Sequence, residues 1–145
     1  MRRRCFSTAI ATIATLTVSS LLGLPISVHA QSDDGARQAA AAWLQQLDAG
    51  QFADTWRNAA TLFKNAVPQA TWEQAVASAR GPLGALQSRT ESSAKATTSL
   101  PGVPDGKYLV LTYDVRFANK ARAVETVATV LQPDGNWKVA GYFVK

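Results

Sequence analysis

Histidine, cysteine and methionine are nearly missing from this chain of 145 residues: each occurs once, as His29, Cys5 and Met1. All three precede Gln31, so the stretch from Gln31 to Lys145 carries neither imidazole nor sulfur. It therefore lacks the side chains that most often serve as nucleophiles, neutral-pH proton carriers or transition-metal ligands, and it can form no disulfide. Clustered positive charge is also missing, since no two basic residues are adjacent after Arg4. Scattered lysines and arginines are a poor match to a phosphate backbone, so no nucleic-acid partner is expected. There is no glycine-rich phosphate loop, no Gly-x-Ser-x-Gly elbow and no run of carboxylates at calcium-loop spacing. The expected sites therefore include no metal, no cofactor and no recognisable catalytic group.

What the chain does have begins with an export signal. Arg2, Arg3 and Arg4 form a basic start, Ala9–Leu24 is apolar with interspersed Thr and Ser, and Val28-His29-Ala30 is a small-x-small tripeptide of the cleavage type. Residues 1–30 are read as a cleavable signal peptide and 31–145 as a single exported domain. Pro25 and the hydroxyl residues argue against a retained membrane span, which needs about 20 predominantly apolar residues. A Sec-type route to the periplasm or the medium is expected, although Arg3-Arg4-Cys5-Phe6 echoes the twin-arginine pattern. Losing three of fifteen basic residues leaves twelve against ten acids, a net charge of +2. A chain of this length can build one ordinary hydrophobic core.

Apolar residues recur at helical spacing in Ala39, Ala40, Trp43, Leu44 and Leu47, and Gly50 suits a left-handed cap. Phe52, Trp56 and Ala59-Ala60, extended by Leu62 and Phe63, predict one second helix. Trp72, Ala75, Val76 and Ala79 predict a third, opened by Pro68 and stopped before Gly81-Pro82. The period then changes to two. Leu86–Ser99, Tyr108–Phe117, Arg122–Gln132 and Asn136–Val144 predict four strands, the first polar enough for a sheet edge. Short turn signals between them favour antiparallel hairpins.

A two-residue turn at Asp134-Gly135 sets Val130 against Val139, Ala128 against Gly141 and Thr126 against Phe143. A four-residue connection Ala118–Ala121 sets Val115 against Val124 and Tyr113 against Thr126. Together these turn Val124, Thr126, Ala128, Val130, Trp137, Val139 and Phe143 toward the helices with Leu109, Leu111, Tyr113, Val115 and Phe117. Tyr108, Glu125, Val127, Leu131 and Tyr142 are left on the outer face. That face is too apolar to be wholly wet, and a homodimer formed through it is the expected partner arrangement.

The tryptophans at Trp43, Trp56 and Trp72, then Arg80-Gly81-Pro82-Leu83-Gly84, Asp105-Gly106-Lys107-Tyr108, Val124-Glu125-Thr126 and Pro133-Asp134-Gly135-Asn136-Trp137 resemble the bacterial exported family catalogued as domain of unknown function 4019. The resemblance covers nearly all of Gln38–Lys145. It implies an α+β fold in which N-terminal helices pack on a curved four-stranded antiparallel sheet, a cone similar to the cystatin-like and nuclear transport factor 2-like folds. It implies no activity.

Among the ionisable residues Glu125 stands out, because it interrupts a strand of Val, Ala and Thr and a carboxylate buried there needs a partner. An Arg116–Glu125–Asp114 cross-strand cluster is the structural expectation. The functional one has Glu125 and Arg80 or Arg89 gripping a polar ligand. Trp56, Trp72 and Tyr113 complete the candidate ligand-binding residues, as aromatic bulk that fills a core or lines a pocket. The expectation is a non-catalytic binding or assembly module. The alternative is a cofactor-free acid-base enzyme or apolar-ligand carrier using the cone.

Overall fold

The computed structural model describes residues 28–145, with side-chain surroundings from residue 33 onward. The basic start and apolar stretch of the expected leader lie outside the described residues. Four helices precede a four-stranded antiparallel sheet: α1 (Val28–Asp48), α2 (Phe52–Asn58), α3 (Thr61–Ala66) and α4 (Gln69–Arg80), then β1 (Leu86–Thr97), β2 (Tyr108–Phe117), β3 (Lys120–Leu131) and β4 (Trp137–Val144). The strands lie in chain order, β1-β2-β3-β4, so every connection is a hairpin.

Gly50 ends α1 as its position predicts. At φ 74° it is left-handed, the Gly50 N–H donates to Leu47 O at 3.1 Å and the Gln51 N–H to Gln46 O at 2.9 Å. This is the paired closure that satisfies the last free carbonyls of a helix. The single second helix expected from Phe52 onward is two helices. Ala59 and Ala60 are extended, with ψ of 165° and 151°, because the Ala60 N–H leaves the helical ladder and donates to Val139 O on the edge of β4 at 2.7 Å. A break there joins the helical layer to the sheet.

The core forms where that layer meets the inner sheet face: Ala36, Ala40, Trp43, Leu44 and Leu47 of α1, Phe63, Trp72 and Val76 from α3 and α4, and Leu109, Leu111, Val115, Phe117, Val127 and Val139 from the strands. Each buried tryptophan N–H finds an acceptor. Trp43 Nε1 donates to Thr55 O at 2.8 Å, and Trp72 Nε1 to Thr55 Oγ1 at 2.9 Å. Thr55, fully buried, passes its own hydroxyl proton to Phe52 O at 2.6 Å. One threonine thus lets two indoles enter an apolar core without an orphaned donor.

The sheet register departs from expectation by one residue, with large consequences. The β2–β3 connection is a tight Ala118-Asn119 turn with Phe117 facing Lys120, and a bulge between Val115 and Phe117 shifts every later pair. Leu111 faces Val127 and Tyr113 faces Glu125, instead of Ala128 and Thr126. At the other hairpin Gln132 closes on Asn136, a three-residue loop in place of the expected two. A second bulge between Ala128 and Thr129 then restores the expected Ala128–Gly141 and Thr126–Phe143 pairs. Since sheet side chains alternate with period two, the shift exchanges the faces of β3. Val127 and Glu125 are inside and fully buried, Tyr142 is 9% exposed, and Phe143, expected inside, is 72% exposed. Val124, Thr126 and Ala128 face outward with it. Val130 and Tyr108 are buried in a small separate cluster with Ala60.

Val127→Lys should therefore unfold the protein, since it places an unpaired charge in the core at a cost beyond ~4 kcal/mol. Phe143→Lys should leave the stability of the single folded chain within the span of an ordinary surface change, about 0.5 kcal/mol, at a protein concentration too low for self-association. Tryptophan-fluorescence denaturation of the two variants tests the register, because the reverse outcome would restore the unbulged pairing.

Candidate functional site

Reversing β3 turns Glu125 away from Asp114 and Arg116 and into the helical side of the sheet, so the expected Arg116–Glu125–Asp114 cluster does not form. Its partners come from elements distant in sequence. Arg80, the last residue of α4, places Nη1 2.7 Å from Glu125 Oε1 and 3.1 Å from Tyr142 Oη, with Nη2 2.6 Å from Asp48 Oδ1. Arg89 of β1 donates through Nε to Glu125 Oε2 at 2.6 Å and through Nη1 and Nη2 to Asp48 at 2.7 and 3.0 Å. Tyr142 Oη donates its proton to Glu125 Oε1. Two guanidiniums and two carboxylates form a closed, charge-neutral square, with a phenol on one corner.

Local structure explains each position. Arg80 suits the C-terminal turn of a helix, where free carbonyls favour a cation, and its guanidinium carbon lies 5.0 Å from the centre of the Phe117 ring, within cation–π range. Asp48 ends α1, where the same carbonyl field disfavours an acid, and two arginines offset it. Behind the square stand aromatic rings. Tyr142 packs on Trp43 at 5.6 Å and edge-on to Trp72 at 6.3 Å, and Phe63 meets Trp72 edge-on at 5.1 Å.

Burial works against the charged form of Asp48, but hydrogen bonds from Arg89 and Arg80 outweigh it and hold the carboxyl below its ordinary pKa. Burial likewise opposes the cations, and the bonds to Tyr142 and Asp48 for Arg80, and to Asp48 and Glu125 for Arg89, raise both guanidiniums. The Tyr142 phenol is pushed well up, first by burial and then by the neighbouring Glu125 charge. Among the described residues no buried side-chain nitrogen or oxygen lacks a hydrogen-bond partner.

Of the residues singled out from sequence, Arg80 and Glu125 meet directly, and Trp72 supports them through Tyr142. Tyr113 is opposite Glu125 in the ladder without a hydrogen bond to it. Its phenol is raised by burial and by Glu91. Trp56 points elsewhere, its Nε1 donating to Val67 O at 2.7 Å. Asp48 and Tyr142 were not foreseen. Asp48 carried a faint signal, an acid at a helix C-terminus with no local cation, whereas Tyr142 was hidden by the bulges.

A helical layer on a four-stranded antiparallel sheet, locked by a buried arginine–carboxylate square, defines a small α+β domain. The family model described as protein of unknown function (DUF4019) matches residues 39–142, and the chain belongs to that family. No curated protein matches it.

Glu125→Gln removes one charge from a buried, paired set and should cost about 3–5 kcal/mol, against about 1.5–3 kcal/mol for Tyr142→Phe. The pH dependence follows from the shifted groups. Asp48 is lowered in the folded state, so its contribution is present above the unfolded carboxyl value near ~4 and lost as pH falls through the folded one. Tyr142 is raised, so its contribution is present below ~10 and lost at higher pH. Urea midpoints across pH should form a dome, whose acid limb flattens in Asp48→Asn and whose alkaline limb flattens in Tyr142→Phe. Unchanged limbs would refute these assignments.

Proposed function

We propose that this protein is an exported, non-catalytic binding and assembly module that pairs with a second copy of itself through the outer face of its sheet. Saturation of the charged square supports the non-catalytic part. General acid-base work needs a group with an unsatisfied proton or lone pair aimed at a substrate, whereas all four carboxylate oxygens of the square and the Tyr142 hydroxyl are hydrogen-bonded within it. The space behind it, where an acid-base enzyme or an apolar-ligand carrier would hold its ligand, is occupied by Trp43, Trp72 and Tyr142.

The observation that carries the assembly part is Phe143, 72% exposed on the outer face. Thr126, Ala128 and Val110 extend an uncharged strip around it, each only half-buried. Scattered exposed apolar residues need no explanation, but a contiguous strip on a sheet face favours an interface. A second copy suits it, because a two-fold axis brings the strip against itself without opposing charges.

Sedimentation of the purified exported protein should give a dimer, and Phe143→Lys a folded monomer. A monomeric wild type, or a dimer untouched by Phe143→Lys, would overturn the assembly reading. Intact-mass measurement of the same material should place the first residue at Gln31, and a mass that includes Met1–Ala30 would overturn the leader.

A further inference from the structure

The outer face carries a second feature at its other end, beside the β2–β3 hairpin. There an open groove of about 530 Å³ is lined by Ser88, Thr90, Asp114, Arg116, Arg122 and Lys145, among others. We infer that this groove binds a small multivalent oxyanion, a ligand bearing a diphosphate or several carboxylates.

Three observations converge. The first is the contrast in pairing: Arg80, Arg89, Arg37 and Arg57 all make salt bridges, whereas among the described residues Arg116, Arg122 and Lys145 make none. No acid precedes Asp33 in the sequence, so none of the residues before it can supply the missing partner. Asp114 lines the same groove, yet it too forms no salt bridge there.

The second is the backbone. The bulge that shifts the β2–β3 register falls between Val115 and Phe117 and sets two β3 residues, Ala121 and Arg122, against the single Arg116. Bulges of this kind re-aim a side chain at a sheet edge or beside a site. This one puts Arg116 on the same wall as Arg122, while on β1 Ser88 faces Arg116 and Thr90 faces Asp114 in the ladder.

The third is size and chemistry. Roughly 300–1,000 Å³ is the range of small-molecule pockets. Two guanidiniums present planar forks that match the oxygens of a phosphate or carboxylate, an ammonium adds a point charge, and two hydroxyls complete a polar wall. The groove's lining side chains carry a net positive charge, three cations against Asp114, and an oxyanion with more than one negative charge is drawn to it more strongly than a singly charged or neutral molecule. Asp114 on the same wall opposes any bound anion and so limits the affinity.

Calorimetric titration of the purified protein with inorganic pyrophosphate and, separately, with citrate tests the inference and distinguishes the two oxyanion sources. At least one should bind saturably with one site per chain. The Arg116→Ala/Arg122→Ala double variant should weaken that binding at least tenfold with an unchanged thermal midpoint, and Asp114→Asn should strengthen it several-fold. Lys95→Ala, a change to an exposed lysine that does not line the groove, should leave it unaltered. Phe143→Lys should bind like wild type, which separates this site from self-association. No saturable binding of either anion, or equal losses in Lys95→Ala and the double arginine variant, would overturn the inference.

Discussion

The fold turns on one buried carboxylate. Glu125 is fully buried, and a charge in that position survives only if its surroundings supply the hydrogen bonds that water would otherwise provide. The supply comes from three directions, and a fourth group holds two of the donors. Arg80 reaches from the end of α4, Arg89 from β1, Tyr142 from β4, and Asp48 at the end of α1 holds the two arginines in place. Five elements meet at one group. A buried network of this kind contributes little as an ion pair against an apolar alternative, but it is intolerant of partial assembly. Its members must all arrive together, which couples the helical layer to the sheet.

β1 shows the other side of the same constraint. Its twelve residues bury no side chain fully, so hydrophobic packing does little to hold it. The ladder to β2 and two polar ties secure it: Arg89 to the square, and Glu91 to Arg37 of α1 at 3.1 Å. Serines, threonines and a lysine along an edge strand also discourage uncontrolled pairing with other chains. Ser88 and Thr90 of β1 face away from the helices, opposite Arg116 and Asp114 in the ladder, and form a wall of the charged groove. The outer face is thus divided, with arginines at the hairpin end and an uncharged strip around Phe143.

Much of this was legible in the residues. Helical spacing placed α1 and α4, Gly50 marked the turn between α1 and α2, and period-two alternation with turn residues placed all four strands in order. The argument that an acid in an apolar strand must find a cation pointed to Arg116, whereas Arg80 and Arg89 entered only as residues that would grip a polar ligand together with Glu125. The failures share a cause. The α2–α3 break, the exchange of Tyr142 with Phe143 and the loss of the Arg116–Asp114 pairing each depend on a single backbone hydrogen bond or a single inserted residue, and neither leaves a mark in composition or periodicity.

What the sequence determined by itself was the set of elements, their order, the apolar bulk of the core and the exclusion of imidazole and thiol chemistry after Ala30, because these follow from local spacing and residue type. Which face of β3 meets the helices was decided by tertiary structure. A strand rotated by one residue offers the same alternation, and only the packing of Val127 under α1, together with the closing of two arginines on Glu125, makes one register lower in free energy than the other.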